Sequence, residues 1–180
     1  MAFNLNEFRG NLVGDGARPN LFSVQMAFPG IVPDGNAAGN RMQFLAKAAQ
    51  LPGSTIGTVP MYYFGREVKF AGNRTFADWT LQIINDEDFV IRYALEEWMN
   101  SINSHEGNVR DPGAFNQLGY TTDAQVTQFG KTGDVLKQYR FVGMFPVDIA
   151  PIDLDWGSND SIEEYSVTFA YQYWVSDTTS

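Results

Sequence analysis

The longest alternating run of apolar and polar side chains in the chain lies between Ile162 and Val175. Tyr165, Val167, Phe169, Tyr171, Tyr173 and Val175 fall on one side, and Glu164, Ser166, Thr168 and Gln172 on the other. Successive side chains of a strand point to opposite faces, so this run specifies a long, half-buried strand and excludes a helix. The same period recurs at Phe22, Val24, Met26 and Phe28, and at Trp79, Leu81 and Ile83. Arg41 to Ala48 reads as a further strand with Met42 and Phe44 on one face, and Glu67 to Ala71 as a short one with Val68 and Phe70 inward. Ala124–Gln128 and Val135–Phe141 flank Gly130-Lys131-Thr132-Gly133-Asp134, the signal of a β-hairpin.

One segment breaks the pattern. Ile91, Leu95, Trp98 and Ile102 recur at spacings of four, three and four, which lays one apolar stripe along a helix. Asn85 is the expected N-cap, with Asp86, Glu87 and Asp88 suited to the positive helix start. The stripe is expected to pack on a sheet. Roughly seven to nine strands around one flanking helix, joined by long Gly- and Pro-rich loops, make a mainly β chain with a sandwich or barrel-like architecture. Its 180 residues fit a single domain. Within it, residues 1–20 read as an N-terminal arm, 29–40 as an exposed loop, and 51–66 as a long hairpin carrying Ile56, Val59, Met61, Tyr62, Tyr63 and Phe64.

Composition narrows the function. The net charge of −9 argues against holding nucleic acid by phosphate neutralisation. Arg140 is the last basic residue, whereas Asp148, Asp153, Asp155, Asp160, Glu163, Glu164 and Asp177 follow it. With no cysteine there is no disulfide, thiolate nucleophile or thiolate metal site. The N-terminal residues lack the basic start and apolar core of a secretory signal, and no apolar run reaches the ~18 residues of a membrane helix. The single histidine, His105, lies in a polar stretch that reads as solvated loop. No nucleophile elbow, phosphate loop or dinucleotide fingerprint occurs. Asp153-Leu154-Asp155-Trp156-Gly157-Ser158 partly mimics a calcium loop, but Gly157 stands where a ligand is needed and strands flank it. No catalytic residue, metal or cofactor is therefore expected.

Three stretches carry a resemblance. They are Ala17-Arg18-Pro19-Asn20-Leu21-Phe22; Ala71-Gly72-Asn73-Arg74-Thr75-Phe76-Ala77-Asp78-Trp79-Thr80, continuing to Asn85-Asp86-Glu87; and Leu154-Asp155-Trp156-Gly157-Ser158-Asn159-Asp160 before the long strand. In order and spacing they resemble the tail tube protein family of contractile-tail bacteriophages, especially its T-even-like branch. Asn73 and Ala77 stand where acidic residues are expected in that branch, and residues 29–40 look like an insertion. Arg74 is expected to meet Asp78 or a backbone carbonyl, Phe76 and Trp79 to anchor their turn, and Asp155 and Trp156 to belong to a fold-maintaining loop.

The resemblance implies a non-enzymatic virion protein. Six copies would form a ring, and rings would stack from a baseplate into a tube inside a tail sheath, closed by a terminator protein. Genome DNA would transit the lumen without specific binding. Subunits would be made in the bacterial host cytoplasm without a membrane anchor. The arm, through Phe3, Phe8 and Arg18, and the hairpin, through Ile56, Val59, Met61, Tyr62, Tyr63 and Phe64, would contact neighbouring subunits. Acidic residues such as Glu164 are candidates for the lumen. The competing readings are a tube subunit of a type VI secretion or extracellular contractile injection system and, more distantly, a β-sandwich binding module.

Overall fold

The computed structural model describes residues 4–179, so Phe3 of the expected arm lies outside the described residues. In chain order the elements are α1 (Leu5–Asn11), β1 (Phe22–Met26), α2 (Gly35–Leu45), β2 (Ala46–Ala49), β3 (Thr55–Tyr63), β4 (Arg66–Thr75), β5 (Trp79–Ile84), α3 (Val90–Ile102), α4 (Gln117–Tyr120), β6 (Thr122–Phe129), β7 (Val135–Ile149), β8 (Glu164–Ala170) and β9 (Tyr173–Ser176). Seven strands make one sheet in the order β1-β6-β7-β8-β5-β2, with β9 also on β7; β3 and β4 pair only with each other. Neighbours are antiparallel throughout.

The 15-residue β7 is the spine. Its first part pairs with β6 on one edge and β9 on the other, and its second part with β8. β8 and β9 follow one another along the same edge in one register, Phe145 opposite Ala170 and Val142 opposite Tyr173. The Gln172 N–H donates to the Val142 carbonyl at 3.0 Å and bridges the gap. The alternating run of the sequence is thus one extended edge with a kink in it.

Gly143, at φ +65°, makes the matching kink in β7. Before it Phe141 faces the core; after it Met144 and Pro146 do. Across the ladder Tyr165, Val167 and Phe169 are buried, then the phase reverses and Tyr173 is 47% exposed while Ser176 is buried. The expectation that Tyr173 shares the buried face fails at this bend. Bending the sheet here brings its edge strands β1 and β2 near one another, with α2 against both, but no hydrogen bonds join them. The result is mainly β and built on one large sheet, and it is not a closed barrel.

The core fills this fold of the sheet. It joins Val24, Met26, Trp79, Leu81, Ile83, Val126, Phe141, Met144, Val167 and Phe169 to Ile91, Ala94, Leu95 and Trp98 of α3. The expected stripe of α3 is buried at Ile91, Leu95 and Trp98, with Ile102 partly buried beside them. Its start is displaced. The helix begins at Val90 behind Phe89, which is left-handed at φ +53°. Asn85 instead extends the sheet pairing, its N–H and its side chain both donating to Glu163. Asp86 and Asp88 bind Arg41 of α2. Tertiary partners claim the residues that local propensity assigns to a cap.

The second correction is α2. Residues 35–45 are helical rather than loop and strand, with Ala38 and Met42 buried one turn apart and Phe44 77% exposed. Gly39 shows why a poor helix former is used. A Cβ there would sit 2.7 Å from the Met26 carbonyl oxygen, so only glycine lets the helix backbone lie this close to β1.

Candidate functional site

The described surface offers no constellation for proton or nucleophile chemistry. His105 is exposed, with Nδ1 3.1 Å from Asn100 Oδ1. Among the described residues no group of three or more His, Asp or Glu side chains is placed to hold a metal ion. A groove between β1, α2 and β6 is open and lined by the amides Gln25, Asn36, Asn40, Gln43 and Gln125. At its rim Asp123 pairs with Arg140, which raises the guanidinium above its ordinary value, and Asp123 also accepts from the Gly143 N–H at 3.1 Å. That carboxylate braces the β7 kink.

The unusual feature is the β3–β4 hairpin. It extends the expected 51–66 hairpin to Thr75 and absorbs the segment read as a separate inward strand; Val68 and Phe70 are exposed. Of its two strands, every residue but Gly72 is exposed. The register is not random with respect to chemistry. Val59 opposes Phe70 and Met61 opposes Val68, so these four share one face with Tyr63 and Arg66. The other face carries Thr58, Pro60, Lys69, Tyr62 and Glu67. Phe64 at the tip is 91% exposed. A two-stranded ribbon of this kind is marginal alone in water, and its uncovered apolar face is the candidate contact surface of the chain.

Other expected contact residues are scattered. Phe8 lies on α1, a seven-residue helix capped by Asn4, none of whose residues is buried. Arg18 is exposed and its carbonyl accepts from the Leu21 N–H. Glu164 is ion-paired with Lys47 at the end of a sheet face otherwise presenting Thr80, Gln82, Ser166 and Thr168.

The motif residues divide. Trp79 is buried and its Nε1–H donates to the Gln50 carbonyl at 2.8 Å. Phe76 is half-buried against the rings of Tyr171 and Trp174. Arg74 bonds the Ser54 hydroxyl rather than Asp78 or a carbonyl, and Asp78 is exposed. Asp155 accepts from the Gly157 N–H at 2.9 Å and shapes its turn. Trp156 is fully exposed, so it maintains nothing in this subunit. Leu154 and Ile162 are exposed beside it in the acidic 151–164 segment. Sequence reasoning passed over these two residues, although apolar side chains interleaved with Asp in a turn-rich stretch are themselves a signal.

Comparisons with known proteins bear on the family and the fold. Tail tube protein gp19 of Enterobacteria phage T4 is 33% identical over 162 residues, covering 89% of this chain and 92% of the relative. The fold is shared with a chain of the sheath–tube complex of an extracellular contractile injection system, in its extended state (TM-score 0.61, 15% identity, 98% and 99% of the two chains). It is shared also with a chain of the anti-feeding prophage baseplate, 6-fold symmetrised (TM-score 0.62, 14% identity, 89% and 95%). The profile described as phage tail tube protein matches residues 17–177, and the chain belongs to that family.

Proposed function

We propose that this tail tube protein polymerises into the tube of a contractile phage tail, six copies to a ring and rings stacked into a hollow conduit for genome DNA. The observation that carries the reading is the β3–β4 hairpin. Its exposed apolar face is a liability on a free subunit and suits an interface between copies. Open sheet edges at β1 and β2 are likewise suited to continuation by neighbours. The net charge of −9 supports passage of DNA without capture, since like charge repels phosphate. Sheath, baseplate and terminator proteins are the proposed partners, supported by structures of such complexes that contain this fold. Subunits would assemble in the host cytoplasm; among the described residues no helix is long and apolar enough to cross a membrane. The role is structural, without catalysis.

Negative-stain electron microscopy of the purified chain at rising concentration, with and without a tail baseplate, tests this. Sixfold rings or hollow stacked tubes are expected. A chain that stays monomeric even with a baseplate present overturns the reading.

A further inference from the structure

We infer that α2 is a latched cover on the outer edge of β1, and that the edge becomes available for strand pairing only when the cover swings away. The inference rests on the tube reading and adds to it a gate that holds the free subunit back from assembly.

The register identifies the edge. Leu21 and Phe129 oppose one another across β1 and β6, and the Phe129 N–H donates to the Leu21 carbonyl at 2.8 Å. Bonded and non-bonded pairs alternate in an antiparallel ladder, so Ser23 and Gln25 bond to β6 as well. Phe22, Val24 and Met26 turn their N–H and C=O groups to the opposite side. Among the described residues no strand pairs there. α2 occupies that side instead: a Cβ on Gly39 would meet the Met26 carbonyl oxygen at 2.7 Å, and Val24 and Met26 are buried in one cluster with Ala38 and Met42. Helical N–H groups past the first turn bond within their own helix, so Gly39 covers this carbonyl without donating to it. The edge is buried but unpaired by a strand, a costly arrangement that a pairing strand relieves.

The cover is weakly held by its own sequence. Gly35, Asn36, Gly39 and Asn40 fall within its 11 residues, and it starts behind the left-handed Asp34 with no side-chain cap bond. Each of these features weakens a helix. Charge holds it from outside. Arg41 binds Asp86 and Asp88 on the β5–α3 connection, and Lys47 of the β2 strand that follows binds Glu164 of β8 at 2.5 Å. Arg41, Lys47 and Asp88 are well exposed, so these bonds open to water and are screened by salt. Opening the cover gives up the Arg41 bonds and the packing of Ala38 and Met42. In return the freed edge gains the hydrogen bonds of a strand from a second copy.

Hydrogen exchange reads the cover directly. Arg41→Gln, with circular dichroism confirming its fold, is expected to speed exchange of the Val24 and Met26 amides about tenfold while Ser23 and Gln25 stay near the parent. The same variant should shorten the lag before tubes form. A locked form is the second measurement. The sequence has no cysteine, so Arg41→Cys with Asp88→Cys supplies two unique thiols that a cleavable bis-maleimide joins. The crosslinked chain is expected to stay monomeric where the parent assembles, and to form tubes once the linker is cut. Unchanged exchange at Val24 and Met26 in a folded Arg41→Gln chain, or tubes from the crosslinked chain, overturns the gate and leaves the tube reading intact. If Arg41→Gln does not fold, the crosslinked chain decides alone. No tubes from the unmodified chain overturns both.

Discussion

Tyr165 shows most clearly what tertiary surroundings do to one residue. Its ring is buried on the inner face of β8, and its hydroxyl finds no partner among the described residues. The Arg92 guanidinium lies 5.1 Å from the ring centroid. Burial pushes the phenol well above its ordinary value, outweighing the opposing pull of Arg92, with Asp86 and Glu96 reinforcing the rise. The sign follows from linkage. Above pH ~10 the unfolded chain releases this proton while the folded chain keeps it, so stability is full below that pH and falls as pH rises. Tyr165→Phe should flatten the alkaline loss of stability in urea melts taken from pH 8 to 11. At neutral pH the same change should leave stability within about 1 kcal/mol of the parent or raise it, because an unpaired buried hydroxyl is removed.

At the scale of elements the decisive feature is the kink shared by β7 and the β8–β9 edge. Gly143 accepts a left-handed conformation there, and a Cβ would meet the Gln172 side chain at 3.0 Å. Asp123 holds the bulge from β6 through its bonds to Gly143 and Arg140. Gly143→Ala is therefore expected to destabilise the fold by about 1–3 kcal/mol, read as a lower urea midpoint at unchanged slope. The elements also show where local reading succeeds and where it stops. The stripe of α3 and the alternation of β1, β5 and β8 were legible because one face of each is buried, which is what periodicity records. α2 was not legible. Its glycines and asparagines mark a loop by propensity, and the close approach to β1 that explains Gly39 in a helix is a tertiary contact. Asn85 failed as a cap for a related reason, since Glu163, distant in sequence, binds it first.

For the whole molecule, the folded core and the proposed assembly surface are separated in space. The core lies between the bent sheet and helices α2 and α3, while the hairpin contributes nothing to it. Val59→Asp with Met61→Asp should therefore change the monomer's urea stability by less than about 0.5 kcal/mol, as surface substitutions do. The same pair should abolish tube formation under conditions where the parent assembles, scored by sedimentation. A monomer that unfolds in parallel with loss of tubes would instead tie the hairpin to the core. The candidate contact surface was partly legible. Ile56, Val59, Met61, Tyr62, Tyr63 and Phe64 stood out as apolar residues in a turn-rich stretch, but their division between two faces depends on which β4 residue each opposes. Trp156 was assigned to the fold and is fully exposed, because a tryptophan within a tight turn reads the same whether it packs inward or outward.

The sequence by itself determined the mainly β architecture, the α3 stripe, the absence of cysteine, and the family. These follow from residue type and spacing, which are local or additive properties. Only the tertiary structure decided that the sheet bends at Gly143 without closing, that Arg41 and Glu163 hold the residues expected to cap α3, and that α2 lies against β1 at Gly39. Those outcomes depend on contacts between segments far apart in the chain, and register and packing, which no local pattern encodes, fix which contacts form.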